Sequence, residues 1–268
     1  MYPDFMSTRR KCSSNKVALI TGSSAGIGFA TAELLLTDGW SVQFHSEMET
    51  EVLPGVMQEL LSKNPERTSY IQADLSVPEA ASKKILQHVS TRWSRLDALV
   101  ASAAVTHHGP IEAVTEENWH HLLSVNVIAP FFVATKLQGL LAKNGGSIVF
   151  VSSTNAKRVN INNTLYDVSK AALNQLSRAL ALELRHKGVR VNTIMPGGTL
   201  TPMLEKWMSE YSDSPESALR HEMDSGFLAT PTQIAGAIVS LLEDRSGWIN
   251  GAAIEVDGGL HLGEFWRA

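Results

Sequence analysis

This chain alternates between short apolar runs and stretches of helical period, and that alternation restricts its fold more than any other feature. The apolar runs are Val17–Ile20, Val42–Phe44, Ser69–Ile71, Ala98–Ala101, Ile148–Val151, Val189–Ile194 and Ala253–Val256. Helical period occupies 27–36, 51–62, 78–93, 115–142, 165–186 and 231–243. Strands joined in sequence through helices form right-handed crossovers and a parallel sheet with helices on both faces. The runs show little polar alternation, as expected of strands buried on both sides. The pattern predicts an α/β chain with a single doubly wound domain and a mainly parallel sheet of about seven strands. In such sheets ligands bind beyond the carboxyl ends of the strands.

Several classes of function are disfavoured. The net charge is −4, so no basic field invites nucleic acid or an anionic membrane. No apolar run reaches the ~18 residues of a spanning helix; Val127–Ala134 and Leu137–Ala142 are parted by Thr135 and Lys136. Residues 1–15 carry Arg9, Arg10 and Lys11, but only Val17–Ile20 follows, too short for a secretory core. They read as a flexible tail before a domain over 16–268. The lone Cys12 cannot form an intrachain disulfide, which suggests a reducing, cytoplasmic setting. No Cys/His cluster has metal-ligand spacing, so no metal is expected.

The first strand runs into Thr21-Gly22-Ser23-Ser24-Ala25-Gly26-Ile27-Gly28 and then a helix. Glycines let backbone approach a pyrophosphate closely, and a helix N-terminus supplies N–H donors to it. Tyr166 and Lys170 lie four apart in a helical stretch, so they stack on one face. A nearby ammonium favours the phenolate form of a phenol. Ser153 follows the strand Ile148–Val151 and reaches the ligand edge; Ser152 is its rival, and only one of the two should face the site. In Asn126-Val127-Ile128-Ala129-Pro130 the proline lacks the N–H that the Asn126 carbonyl would accept. Either a water takes that carbonyl beside Lys170, or the proline merely kinks a long helix.

Together with Asp74 and Pro196-Gly197, these motifs occur in an order and spacing that resemble the short-chain dehydrogenase/reductase family over about 16–260. The resemblance implies a Rossmann-type sheet and NAD(P)-dependent interconversion of an alcohol and a carbonyl. By position it implies Tyr166 as general acid/base and Ser153 as the group orienting the carbonyl. It likewise implies that Lys170 binds the nicotinamide ribose and acidifies Tyr166, and that Asn126 holds a relay water. Gly22, Ser23, Ser24, Gly26, Ile27 and Gly28 would hold the pyrophosphate side, with Asp74 and Leu75 at the adenine. Ala101 would stand at the ribose edge, and Pro196, Gly197, Thr199 and Thr201 near the carboxamide and phosphates. Ala25 replaces the middle glycine of the related epimerases and dehydratases, favouring a dehydrogenase. Homodimers or homotetramers through 115–142 and 165–186 are also implied.

The chain departs from that family in two places. Ala101-Ser102-Ala103-Ala104 stands where Asn-Asn-Ala-Gly is usual. At the second strand end Ser46 replaces the acidic residue of NAD binders. His45 and Ser46 would accommodate a 2′-phosphate that Glu47 opposes, so NADP(H) is slightly favoured over NAD(H). The segment 202–229, with Met203, Leu204, Trp207, Met208, Tyr211, Phe227 and Leu228, reads as a lid over a fairly apolar carbonyl or alcohol substrate, or as core or subunit interface. His107, His108 and Asn162 are further pocket candidates. Two rival readings remain: a catalytically idle dinucleotide sensor or scaffold, and a related lyase or isomerase using the same tyrosine.

Overall fold

A computed structural model describes residues 16–211 and 228–262. The tail with Cys12, residues 212–227 of the expected lid with Phe227, and 263–268 lie outside the described residues, as do the side chains of Glu210 and Tyr211. Among the described residues the strands are β1 (Val17–Thr21), β2 (Ser41–Ser46), β3 (Thr68–Gln72), β4 (Ala98–Ala101), β5 (Ser147–Val151), β6 (Arg190–Pro196) and β7 (Ala253–Val256). They form one sheet in the order β3-β2-β1-β4-β5-β6-β7, and every pair is parallel. The order reverses between β1 and β4, which opens a crevice at their carboxyl ends.

Helices cover both faces. One layer holds α1 (Gly26–Thr37), α2 (Gly55–Lys63) and α8 (Pro231–Leu242), burying Leu35, Met57 and Ile238 against Ile20, Phe44 and Val149. The other holds α3 (Pro78–Arg92), α4 (Glu116–Leu123), α5 (Ala129–Ala142) and α6 (Thr164–Leu184), burying Ile85, Leu137 and Leu180 against Leu19, Leu99 and Phe150. A further helix among the described residues, α7 (Pro202–Tyr211), follows β6. Local chemistry agrees with these boundaries: capping boxes join Thr115 to Asn118 and Thr230 to Gln233 at the starts of α4 and α8.

The stretch 115–142 is not one kinked helix. Between α4 and α5 the chain widens into a π turn at Ser124–Ile128, in which Ala129 N–H bonds to Ser124 O. Pro130 can supply no N–H, and its ring crowds the carbonyl four residues back, so the ladder slips to the wider register there. Glu116–Ala142 taken together is long and apolar enough to cross a bilayer. It nonetheless buries Val133, Leu137 and Leu141 in the core.

Candidate active site

Beyond the carboxyl edge lies a cavity of about 690 Å³. It runs from Ser46, Glu47 and Asp74 past the turn 22–27 to Ser153, Tyr166, Lys170 and α7. The turn is built on close backbone approach. Gly22 has φ +64°, and a Cβ there would lie 2.6 Å from the Ala103 Cα. A Cβ on Gly28 would lie 2.3 Å from the Gly22 carbonyl oxygen. The segment Ala101–Ala104 therefore keeps the small residues this contact needs, and Ala103 N–H donates to Thr21 Oγ1 at 3.3 Å. Ala25, the N-cap of α1, makes no side-chain cap bond, and Ser24–Ile27 line the cavity. The first-turn amides of α1 thus lack a side-chain cap, as a pyrophosphate-bearing dinucleotide requires.

At the Tyr166 end both serines border the cavity, but their side chains part: Ser152 Oγ donates to the Lys170 carbonyl at 3.1 Å, whereas Ser153 hydrogen-bonds the Tyr166 hydroxyl. Lys170 Nζ donates to the Val151 carbonyl at 3.0 Å and lies 5.4 Å from the Tyr166 ring centre. Burial dominates both groups. It pushes the Tyr166 phenol up to about 12, opposed by the Ser153 hydrogen bond and reinforced by the Asp167 charge. It pushes the Lys170 amine down to about 8. Within the chain alone, burial sets the direction of the phenol, and Lys170 is not among the groups that move it.

Asn126 does not line the cavity. Its Oδ1 accepts from Val105 N–H at 2.9 Å, and its Nδ2 donates to Val105 O at 2.9 Å and to Ser169 Oγ at 3.1 Å. Ser169 Oγ donates in turn to the Tyr166 carbonyl at 2.8 Å. Asn126 thus clamps the segment after β4 to the first turns of α6.

The opposite end is sealed. His45 Nε2 lies 3.1 Å from the Ala73 carbonyl, which can only accept, so Nε2 carries the proton and Nδ1 accepts from Gly22 N–H at 3.5 Å. Burial lowers the His45 pKa to about 4. Ser46 Oγ bonds Tyr70 Oη at 2.7 Å and accepts from Met48 N–H at 3.3 Å, while Tyr70 Oη also donates to the Met48 carbonyl. The expected 2′-phosphate contacts at His45 and Ser46 therefore present no cation. Asp74, beside them, accepts from Ser76 N–H and Ser76 Oγ, each at 2.8 Å.

Of the expected cofactor residues, Gly22, Ser24, Gly26, Ile27, His45, Ser46, Asp74, Leu75, Pro196, Gly197, Thr199 and Thr201 line the cavity with Ser153, Tyr166 and Lys170. Ser23, Gly28 and Ala101 do not. Ser23 is fully buried and bonds the His45 main chain, Gly28 packs under Gly22, and Ala101 points into the core. The wall assigned to Ala101 is made by Ser102–Thr106. Met203, Leu204, Trp207, Met208 and Leu228 form an apolar wall, with the Trp207 ring edge-on to His108 at 5.6 Å. Ala229 is pinned to Gly198 and Leu200 by bonds of 2.9 Å, fixing the return of the 202–229 segment beside the site. Sequence reasoning missed Asn155, Arg158, Asn160 and Asn163 on this wall. Only their place after the fifth strand end could have signalled them.

A doubly wound sheet, an uncapped helix N-terminus at its switch point and a Ser-Tyr-Lys set in one cavity define a Rossmann-type α/β scaffold with a candidate active site at its carboxyl edge. Residues 22–261 match the family model described as enoyl-(acyl carrier protein) reductase. A short-chain dehydrogenase/reductase of Pestalotiopsis microspora is 32% identical over 257 residues, covering 91% of this chain and 94% of that protein. The (3R)-3-hydroxyacyl-CoA dehydrogenase of Mus musculus is 31% identical over 255 residues, covering 92% and 96%. Among solved structures, L-sorbose reductase from Gluconobacter frateurii, complexed with NADPH and L-sorbose, superposes with a TM-score of 0.83 at 28% identity, covering 91% and 95%. The chain belongs to the short-chain dehydrogenase/reductase family of oxidoreductases.

Proposed function

We propose that this protein moves a hydride between a nicotinamide dinucleotide and a carbonyl/secondary-alcohol pair, with Tyr166 as general acid/base. The observation that carries this reading is the convergence of Ser153, Tyr166 and Lys170 on the cavity that also holds the uncapped N-terminus of α1. The nicotinamide, when bound, supplies or accepts the hydride. Ser153 orients the substrate oxygen and the Tyr166 hydroxyl together. In reduction the phenol gives its proton to that oxygen, and in oxidation the phenolate takes it back. Lys170 holds a positive charge beside the ring at neutral pH and binds the ribose hydroxyls. Asn126 keeps the start of α6 in register with the β4 segment.

The apolar wall of Met203, Leu204, Trp207, Met208 and Leu228 supports a substrate with an apolar body, covered by 202–229 as a lid. The sorbose reductase was solved with NADPH, which supports the phosphorylated cofactor, whereas Glu47 and Asp74 oppose a 2′-phosphate. A shallow preference for NADP(H) follows, within about tenfold, or 1.4 kcal/mol. Exposed Ile128 and Phe131 near the start of α5, with Val168 and Leu182 on α6, support assembly as a homodimer or homotetramer.

The test is incubation with NADPH or NADH and a panel of ketones and aldehydes, read at the nicotinamide absorbance. Consumption of reduced cofactor with alcohol formation is expected. Cofactor binding without turnover across the panel would instead mark an idle sensor. Product without net cofactor change would mark a lyase or isomerase.

A further inference from the structure

Directly after the catalytic tyrosine comes a buried carboxylate that the mechanism above does not use. Asp167 is only 5% exposed, and both its oxygens are engaged. Asn155 Nδ2 donates to Oδ1 at 2.7 Å, and Asn160 N–H donates to Oδ2 at 2.9 Å. Two donors and no acceptor are the hydrogen-bond pattern of an ionised carboxylate. Asn155 faces Ser153 with its other atoms: Ser153 Oγ donates to Asn155 Oδ1 at 3.3 Å, and Asn155 N–H donates to Ser153 Oγ at 3.1 Å. A continuous chain of hydrogen bonds therefore runs from Asp167 through Asn155 to the serine that meets Tyr166.

We infer that Asp167 is a positioning residue, a buried anion that pins the loop over the site to α6 and, through Asn155, sets the rotamer of Ser153. The inference rests on the role proposed for Tyr166 and deepens it. A buried negative charge beside the phenol also disfavours the phenolate, adding to the larger effect of burial. The other titratable or charged groups around the pair are Lys170 on the same helix, Arg158 on the loop and His108 after β4. Lys170 directs its amine to Val151 O, and Arg158 bonds the Leu260 carbonyl at 3.3 Å. The strand end and the π turn face the pair with the uncharged Ser153 and Asn126.

The test titrates tyrosinate absorbance in wild type and variants, with the Tyr166→Phe trace subtracted. It is run on the free protein up to its alkaline unfolding limit and again with saturating oxidised NADP. Asp167→Asn is expected to bring the Tyr166 transition down by about one pH unit, and Asp167→Ser, a second neutral replacement, should move it the same way. Asp167→Glu, which keeps the charge, should leave it within a few tenths. Asn155→Ala keeps the charge but cuts the link to Ser153; it should leave the transition in place and raise KM more than it lowers kcat. An unmoved transition in whichever neutral variants fold, or an equal shift in Asp167→Glu, overturns the inference. So does an Asn155→Ala enzyme with wild-type KM. The free-protein titration does not depend on hydride transfer. An enzyme that binds no nicotinamide yet shows the shift would therefore refute the proposed activity and leave the Asp167 role standing.

Discussion

His45 and Lys170 are bases buried in the two ends of one cavity, and the same force acts on both with opposite results. Desolvation drives His45 from an ordinary 6.5 to about 4, and Lys170 from 10.5 to about 8. At neutral pH the imidazole is therefore uncharged while the amine keeps its proton. The partners differ as well. Both ring nitrogens of His45 are engaged by the backbone at Ala73 and Gly22, whereas Lys170 reaches a single carbonyl, that of Val151. One buried base has become part of the frame; the other keeps donors in reserve beside Tyr166.

The comparison breaks most visibly at Lys170. Lys170→Met is expected to lower turnover by about 10²–10³-fold, the scale of losing an acid–base partner. It should also make the protein more stable at neutral pH. The folded state depresses the amine pKa, so burying the charge costs about 3 kcal/mol below pH 8, and that cost fades as pH rises toward 10.5. Denaturant midpoints measured across that range should show the variant's advantage shrinking with pH. Retained turnover, or an advantage that does not change with pH, would contradict the assignment.

His45 sharpens the other half of the comparison. Its pKa is also depressed, so its contribution is intact above 6.5 and is lost as pH falls toward 4, about 3 kcal/mol in all. His45→Gln should remove most of that acid loss while changing turnover at neutral pH by less than about threefold, well short of the scale expected of an acid–base group. A variant with the wild-type acid slope would show that the ring is not the titrating group. The smallest effect is expected at Pro130→Ala, which restores an N–H to the π turn and tightens it. Turnover should fall by no more than about threefold, about 0.7 kcal/mol, with a larger solvent isotope effect as proton delivery slows. An unchanged rate and isotope effect would reduce the proline to a structural wedge.

Much of this was legible in the sequence because strands buried on both faces announce themselves as unbroken apolar runs. All seven were placed, and β4 and β7 with their observed ends. The others, such as β2 and β6, run one or two residues past their apolar core, because ladder bonds extend onto polar Ser46 and onto Pro196 at the sheet edge. The trio Ser153, Tyr166 and Lys170 was legible from spacing on one helix and one strand end. What spacing does not carry is side-chain direction. Ser23 belongs to the turn yet faces inward, and the Asn126 side chain turns to Val105 and Ser169. Nor does sequence carry desolvation: burial, which spacing does not reveal, pushes the Tyr166 phenol up and the Lys170 amine down. Asp167 was in plain view, but its partners Asn155 and Asn160 meet it only once the loop folds back.

The central claim is that the Tyr166 hydroxyl transfers the proton while the rest of the site holds the reactants. Tyr166→Phe removes one oxygen from a ring whose packing is kept, and the decisive measurement is cofactor affinity set beside turnover in that variant. Affinity should stay within about threefold while turnover falls by about 10²–10⁴-fold. A parallel loss of both, or turnover that survives the substitution, would contradict the account.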